Sequence, residues 1–227
     1  MTRIGFILFP RLTQLDLTGP WEVLTRLSHV ECHLISKDMS PVQSDGGGLI
    51  LTPTLTFDDC PQLDVLCIPG GPGHLWAMQD PAVLRFLRQQ AAQAQYVSAV
   101  CTGSMILAAA GLLRGYRATT HWMSLGRLEA FGATPIHERV VADRNRITGG
   151  GVTAGIDLGL TLSRLLRSED EEAMIRLQME YAPTQSPGGR PETADAAVVA
   201  ALLDRAEPYV RAIANVDAEA VSRLTRQ

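Results

Sequence analysis

A cysteine placed like a nucleophile stands at position 101. Before it, Tyr96-Val97-Ser98-Ala99-Val100 has strand character, and after it Thr102-Gly103-Ser104 turns into the apolar helical run Met105 to Leu113. A strand that runs straight into a helix lifts the junction residue out of the sheet on a tight turn. The first N–H groups of the helix then point at that residue, and the positive end of the helix dipole favours thiolate over thiol. The other reading is a small apolar core residue, since free cysteines are often buried. The second candidate is Asp16, between Leu15 and Leu17 in the loop between a strand and a helix. A carboxyl group in apolar surroundings, beside a thiolate, can hold its proton near neutral pH. The alternative is a capping aspartate. Together a thiolate and a carboxylic acid can form a covalent adduct and move a proton while doing so.

Two glycine clusters supply backbone donors. Gly70-Gly71-Pro72-Gly73 follows the apolar strand Leu63 to Pro69, and Gly149-Gly150-Gly151-Val152-Thr153 opens a helix. N–H groups of Gly70, Gly71, Thr102 or Val152 are the candidates for holding the thiolate or a charge that develops on a substrate. A purely structural turn is the competing reading at Gly70-Gly71. Gly46-Gly47-Gly48 lacks the Lys-Ser/Thr of a phosphate loop and is set aside. His121 ends a short strand, Arg117 to Trp122. A Cys–His pair would indicate amide or peptide hydrolysis, whereas a hydrogen-bonded structural histidine or a residue behind the reacting groups needs no such role. Trp21, Trp76 and Trp122 are candidates for a pocket lining or for the core. Cys32, Cys60, Cys67 and Cys101 show no CxxC spacing, and neither His33 nor His137 has metal-ligand spacing to another His or Cys. No metal is expected.

The elements that must position these groups alternate along the chain. Ile4 to Phe9, Val30 to Ser36, Leu63 to Pro69 and Tyr96 to Val100 read as strands, the first a continuous apolar run of the kind buried on both faces. Helices are expected from Pro20 to about Leu27, with Thr18 or Gly19 as cap, and then over 81–94, 123–131, 158–166 and 169–181. A loop over 182–191 precedes two terminal helices, 193–215 and 217–226. The pattern predicts a doubly wound α/β sandwich, with a mostly parallel central sheet and helices on both faces. Residues 1–191 are expected to form the α/β domain and 192–227 a helical extension packed on it. In such a sheet the strand C-terminal ends converge on one edge, which would gather Asp16, Gly70-Gly71, Cys101, His121 and Gly149-Gly151.

Apolar residues make up 46% of the 227-residue chain and charged residues 19%, enough for a large core. A net charge of −4 speaks against nucleic acid as a partner. The N-terminus lacks signal-peptide features, no apolar stretch spans a bilayer, and the cysteine usage suits a reduced compartment, so a cytoplasmic protein without a membrane partner is expected.

The blocks Leu15-Asp16-Leu17-Thr18-Gly19-Pro20, Pro69-Gly70-Gly71-Pro72-Gly73, Ala99-Val100-Cys101-Thr102-Gly103-Ser104, Thr119-Thr120-His121-Trp122 and Thr148 to Asp157 resemble the DJ-1/PfpI superfamily. Its fold is a flavodoxin-like sandwich of the class I glutamine-amidotransferase type. The resemblance covers roughly residues 3–190 and is nearest to the isocyanide-hydrating branch. It implies hydration of an isocyanide to an N-substituted formamide without metal or organic cofactor, through a cysteine thioimidate. Cys101 would be the nucleophile, Asp16 the acid/base carboxyl and Thr102 the residue beside the nucleophile. It also implies a homodimer with the site close to the subunit interface. Proteases and amidases of the superfamily carry a histidine directly after the cysteine, where this chain has Thr102. The same blocks occur in the ligand-binding half of AraC-type regulators, but no basic recognition helix stands out after Pro191. A DJ-1-like glyoxal-handling or redox-responsive protein would use the same cysteine and acid.

Overall fold

The computed structural model describes residues 1–183 and 188–226. Eleven strands are present among them: β1 (Thr2–Ile7), β2 (Val30–Ser36), β3 (Val42–Gln43), β4 (Ile50–Leu51), β5 (Leu55–Thr56), β6 (Val65–Ile68), β7 (Tyr96–Val100), β8 (Arg117–Ala118), β9 (Thr134–Pro135), β10 (Val140–Asp143) and β11 (Arg146–Gly149). Seven of them form the central sheet in the order β10-β11-β7-β6-β1-β2-β5, all parallel except the edge strand β10. The chain winds outward from β1 through β2 to β5, then returns to the other side of β1 with β6. The crevice of this α/β fold therefore opens where β1 and β6 end. The strands read as apolar runs because both faces are covered: Ile4, Phe6, Ile7, Val65, Leu66 and Val97 are all fully buried.

The helices are α1 (Gln14–Leu24), α2 (His74–Ala77), α3 (Pro81–Ala91), α4 (Gly103–Ala109), α5 (Ala154–Leu166), α6 (Glu169–Gln178) and α7 (Ala196–Thr225), with a 3-10 segment at Trp122–Phe131. One layer is built by α1 on α5 and α5 on α6; the other contains α3 and α4, with the 3-10 segment and α7 against α4. Local chemistry sets several boundaries. Asp80 caps α3 by accepting from the Ala82 N–H at 2.8 Å, with Pro81 at the first helical position. Ser168 caps α6 ahead of Glu169, Asp170, Glu171 and Glu172, which complement the helix dipole. The seam between α1 and α5 is unusually close. A Cβ on Gly159 would lie 2.9 Å from Val23 Cβ, and one on Gly155 would lie 2.9 Å from Pro20 Cδ.

Four expectations are corrected. The first helix starts at Gln14, not at Pro20, because the chain already turns helical after Thr13; Pro20 sits inside it. Asp16 is thus in the first helical turn rather than in a loop. The strand expected over 117–122 stops at Ala118; beyond it, the Thr120 hydroxyl bonds inward to Cys101 O at 2.7 Å. Residues 122–131 form a 3-10 segment, ended by Gly132 in the left-handed region. The two terminal helices are one, α7, which runs straight through Asn215 and Val216. Of the loop expected over 182–191, residues 184–187 lie outside the described residues.

Candidate active site

Cys101 emerges from the C-terminal end of β7, between β6 and β11, and is the turn residue before α4. Its φ is +57°, in the left-handed region that a cysteine rarely adopts. Such a conformation costs on the order of 1–3 kcal/mol and persists only where the surroundings over-determine it. Here its N–H donates to Gly149 O at 3.0 Å and Gly150 O at 2.9 Å, and its carbonyl accepts from Thr120 Oγ1. Cys101 as a whole is 6% exposed.

Asp16 reaches the sulfur from α1 and is 1% exposed. Its Oδ2 accepts from the Gly70 N–H at 3.0 Å. Its carboxyl and the Cys101 thiol lie close enough for each to shift the other's titration, and Oδ1 makes no hydrogen bond among the described residues. Burial pushes the carboxyl up to about 7, against the opposing pull of the Gly70 N–H and the thiol; the Asp45 carboxylate adds a smaller upward push. Burial also pushes the Cys101 thiol up, and the ionised Asp16 adds to this, while the N–H groups of Thr102 and Val152 favour the thiolate. The repulsion from Asp16 exists only when Asp16 is ionised. The two groups therefore titrate as a coupled pair, and the proton they hold near neutral pH belongs to neither alone. The other three thiols have no such partner: burial pushes Cys32 and Cys67 up to about 12 and Cys60 to about 11.

Gly70 and Gly71 approach this pair, but their N–H groups are turned to side chains of the site. Gly70 donates to Asp16, and Gly71 donates to Thr102 Oγ1 at 3.0 Å. The donors left facing the sulfur are the amides of Thr102 and Val152. Thr102 thus acts twice, its N–H on sulfur and its hydroxyl on the Gly71 turn. Gly70 has to be glycine for a steric reason: a Cβ there would lie 2.5 Å from Thr102 N and 2.9 Å from Asp16 Oδ2. Gly70→Ala is expected to lose about 1–3 kcal/mol of stability by overpacking, together with most of the activity. Denaturant unfolding and turnover measured on the same preparation check both effects.

His121 is half-buried and is not paired with Cys101. Its Nδ1 accepts from Met123 N–H at 3.4 Å, capping the 3-10 segment, and burial lowers its pKa. It lines a cavity of about 250 Å³ with Thr120, Trp122, Gly150, Gly151 and Val152. Of the tryptophans, Trp122 belongs to this cavity, Trp21 packs edge-on against Phe6 at 5.1 Å, and Trp76 is 44% exposed beneath Lys37. One buried polar residue near the site had no place in the sequence reading: His74, whose partners Arg127 and Tyr209 lie 53 and 135 residues away. Its position directly after a glycine turn at a strand end was the available signal.

A sheet whose strand ends gather a strained cysteine, a protonatable carboxyl and two free amides defines a class, and the chain belongs to the DJ-1/PfpI family, whose profile matches residues 2–165. Within it, the chain is 51% identical to an isonitrile hydratase of Pseudomonas putida over 98% of its own length and 97% of that protein. The crystal structure of a ThiJ/PfpI family protein from Pseudomonas syringae superposes with a TM-score of 0.91 at 41% identity, over 96% of this chain and 90% of that one. A transcriptional regulator of Pseudomonas aeruginosa, GbdR, is 37% identical over 70% of this chain, which covers 45% of the regulator.

Proposed function

We propose that this protein hydrates isocyanides to N-substituted formamides, with Cys101 as nucleophile and Asp16 as the proton carrier. The observation that carries the reading is the buried Cys101–Asp16 pair, in a chain 51% identical along its length to an isonitrile hydratase. The Cys101 thiolate attacks the terminal carbon of R–N≡C, and Asp16 gives its proton to that carbon, leaving a thioimidate, R–N=CH–S–Cys101. Water then adds to this carbon. Asp16 takes one proton from the water and passes one to nitrogen, giving R–NH–CH(OH)–S–Cys101. On collapse Asp16 takes the hydroxyl proton, the C–S bond breaks, and R–NH–CHO leaves with thiolate and acid restored. The amides of Thr102 and Val152 hold the sulfur charge at the start and the end of the cycle. The cavity beside Val152 is the place for the R group. Incubation with aryl and alkyl isocyanides, read as formamide by mass spectrometry, tests the reading; no formamide from any of them would reject it.

The assembly that fits is a homodimer. On the N-terminal part of α7, Val198, Leu202, Leu203 and Val210 are 63%, 44%, 43% and 43% exposed, an apolar face large enough to ask for a cover. Sedimentation at micromolar concentration should give about twice the 24.6 kDa chain mass, and a monomer alone would contradict this. No described helix is long and apolar enough to cross a membrane.

A further inference from the structure

His74, the first residue of α2, is fully buried behind the Gly70-Gly71 turn. Its Nδ1 lies 2.9 Å from Gly71 O and 3.2 Å from the Tyr209 hydroxyl, and its Nε2 lies 3.5 Å from Arg127 Nη1. A carbonyl can only accept, so Nδ1 carries the hydrogen, shared with the Tyr209 oxygen, and Nε2 keeps its lone pair toward the guanidinium. Burial and the neighbouring Arg127 both oppose a second proton and hold His74 down at about 4. The ring is a neutral N–H donor of fixed direction across the working pH range.

Its anchor is equally fixed. Arg127 bonds both oxygens of Asp217 at 2.6 Å, and Arg127 Nη1 donates to Ser124 Oγ at 3.1 Å. Tyr209 and Asp217 both belong to α7, so the helix grips the imidazole from two sides. On the far side, Gly71 O is also reached by the His74 backbone N–H at 3.0 Å and by the Thr102 hydroxyl at 3.3 Å. The first bond lies within the turn and the second comes from the site itself. The imidazole ties that carbonyl to the rest of the fold. The two N–H groups beside it hold Asp16 and Thr102.

We propose that His74 is a positioning residue: braced by Tyr209 and by the Arg127–Asp217 pair, it fixes the Gly70-Gly71 turn through Gly71 O, and the turn aims the Asp16 carboxyl at Cys101. The proposal rests on the reading of Cys101 and Asp16 as the reacting pair. Through it, the C-terminal helix becomes part of the catalytic apparatus without touching substrate.

The test follows two properties against pH: turnover of an isocyanide, and alkylation of Cys101 by iodoacetamide, which needs no substrate. Asp16 faces the Cys101 thiol and the Asp45 carboxylate; His74 faces Arg127 and Tyr209. In the wild type, alkylation should rise through the loss of the pair's first proton, near pH 7. His74→Phe removes the donor. It should lower kcat by about tenfold or more through misalignment, leave KM within about twofold, and move the alkylation limb upward, because the Gly70 N–H that favours the Asp16 carboxylate is loosened. His74→Asn, which keeps an N–H near the Nδ1 position, should restore the limb and most of the rate. A folded His74→Phe variant with wild-type kcat and an unmoved limb overturns the proposal. If that variant does not fold, Asp217→Asn decides: a raised limb supports the brace, and an unchanged one rejects it. If the wild type forms no formamide, the isocyanide reading falls, while the alkylation limb still decides the role of His74.

Discussion

Cys101→Ala should show no measurable turnover and an unchanged fold. Removing a covalent nucleophile takes away the step itself, and losses of at least about a thousandfold are usual when such a group is deleted. Alanine fits the site because the elbow is held by backbone bonds, from Cys101 N–H to Gly149 O and Gly150 O and from Thr120 to Cys101 O, none of which involves the sulfur. The φ of +57° strains alanine as it strains cysteine, so stability should change little. Cys32, Cys60 and Cys67 are the internal controls. Burial holds all three thiols un-ionised, and their alanine variants should keep most of the activity. Stopped assays with mass-spectrometric detection of formamide, alongside circular dichroism, make the comparison. Retention of even a tenth of the rate by Cys101→Ala would rule out the thioimidate.

Asp16→Asn should lower kcat by about a hundredfold or more, the range set by general acid–base groups. Asparagine can still accept from the Gly70 N–H and can turn its amide toward sulfur, but it has no proton to give to carbon. Iodoacetamide should therefore still alkylate Cys101, while the limb near pH 7 disappears because the shared proton is gone. Stability should move the other way. The Asp16 carboxyl is raised from 3.8 to about 7 by burial, so between these values the folded chain holds a proton that the unfolded chain has lost. Its contribution is complete below 3.8 and is lost as the pH rises through about 7. Asparagine has no charge to bury, so its Tm relative to wild type should improve from pH 6 to pH 8. A fully active Asp16→Asn would move the search for the proton donor to His121. A variant both inactive and inert to iodoacetamide would instead make Asp16 a holder of the thiol's geometry.

Much of this site could be read from local sequence because its parts follow the ends of strands, Cys101 directly after β7 and Asp16 in the first turn of the helix after β1. The apolar runs Ile4 to Phe9 and Tyr96 to Val100 identify strands covered on both faces, and a parallel sheet brings their C-terminal ends together. The junction at Cys101 and the carboxyl between two leucines are equally local signals. What sequence could not supply was direction. The N–H groups of Gly70 and Gly71 lie at the site as expected, yet they point at Asp16 and Thr102 instead of at the sulfur, an outcome of backbone torsions that glycine leaves open. Pro20 suggested a helix start because it suits a first turn, but packing against Gly155 holds it in mid-helix. The break expected near Asn215 is bridged by tertiary contacts: Asp217 is tied to Arg127 and Ile213 is buried. His74 was invisible for the same reason, since its environment is assembled from α2, the 3-10 segment and α7.

The seam between α1 and α5 works as a caliper. One jaw, α1, carries the Asp16 carboxyl in its first turn; the other, α5, follows the Val152 amide that faces the sulfur. Their separation is set further back, where Gly155 and Gly159 let the helices close onto Pro20 and Val23. Neither glycine touches the reacting atoms. A methyl group at the back of the seam would spread the jaws at the front, changing the gap between acid and sulfur without altering a single residue that meets the substrate. The spacing between acid and sulfur is thus set partly from behind, by two glycines in the seam.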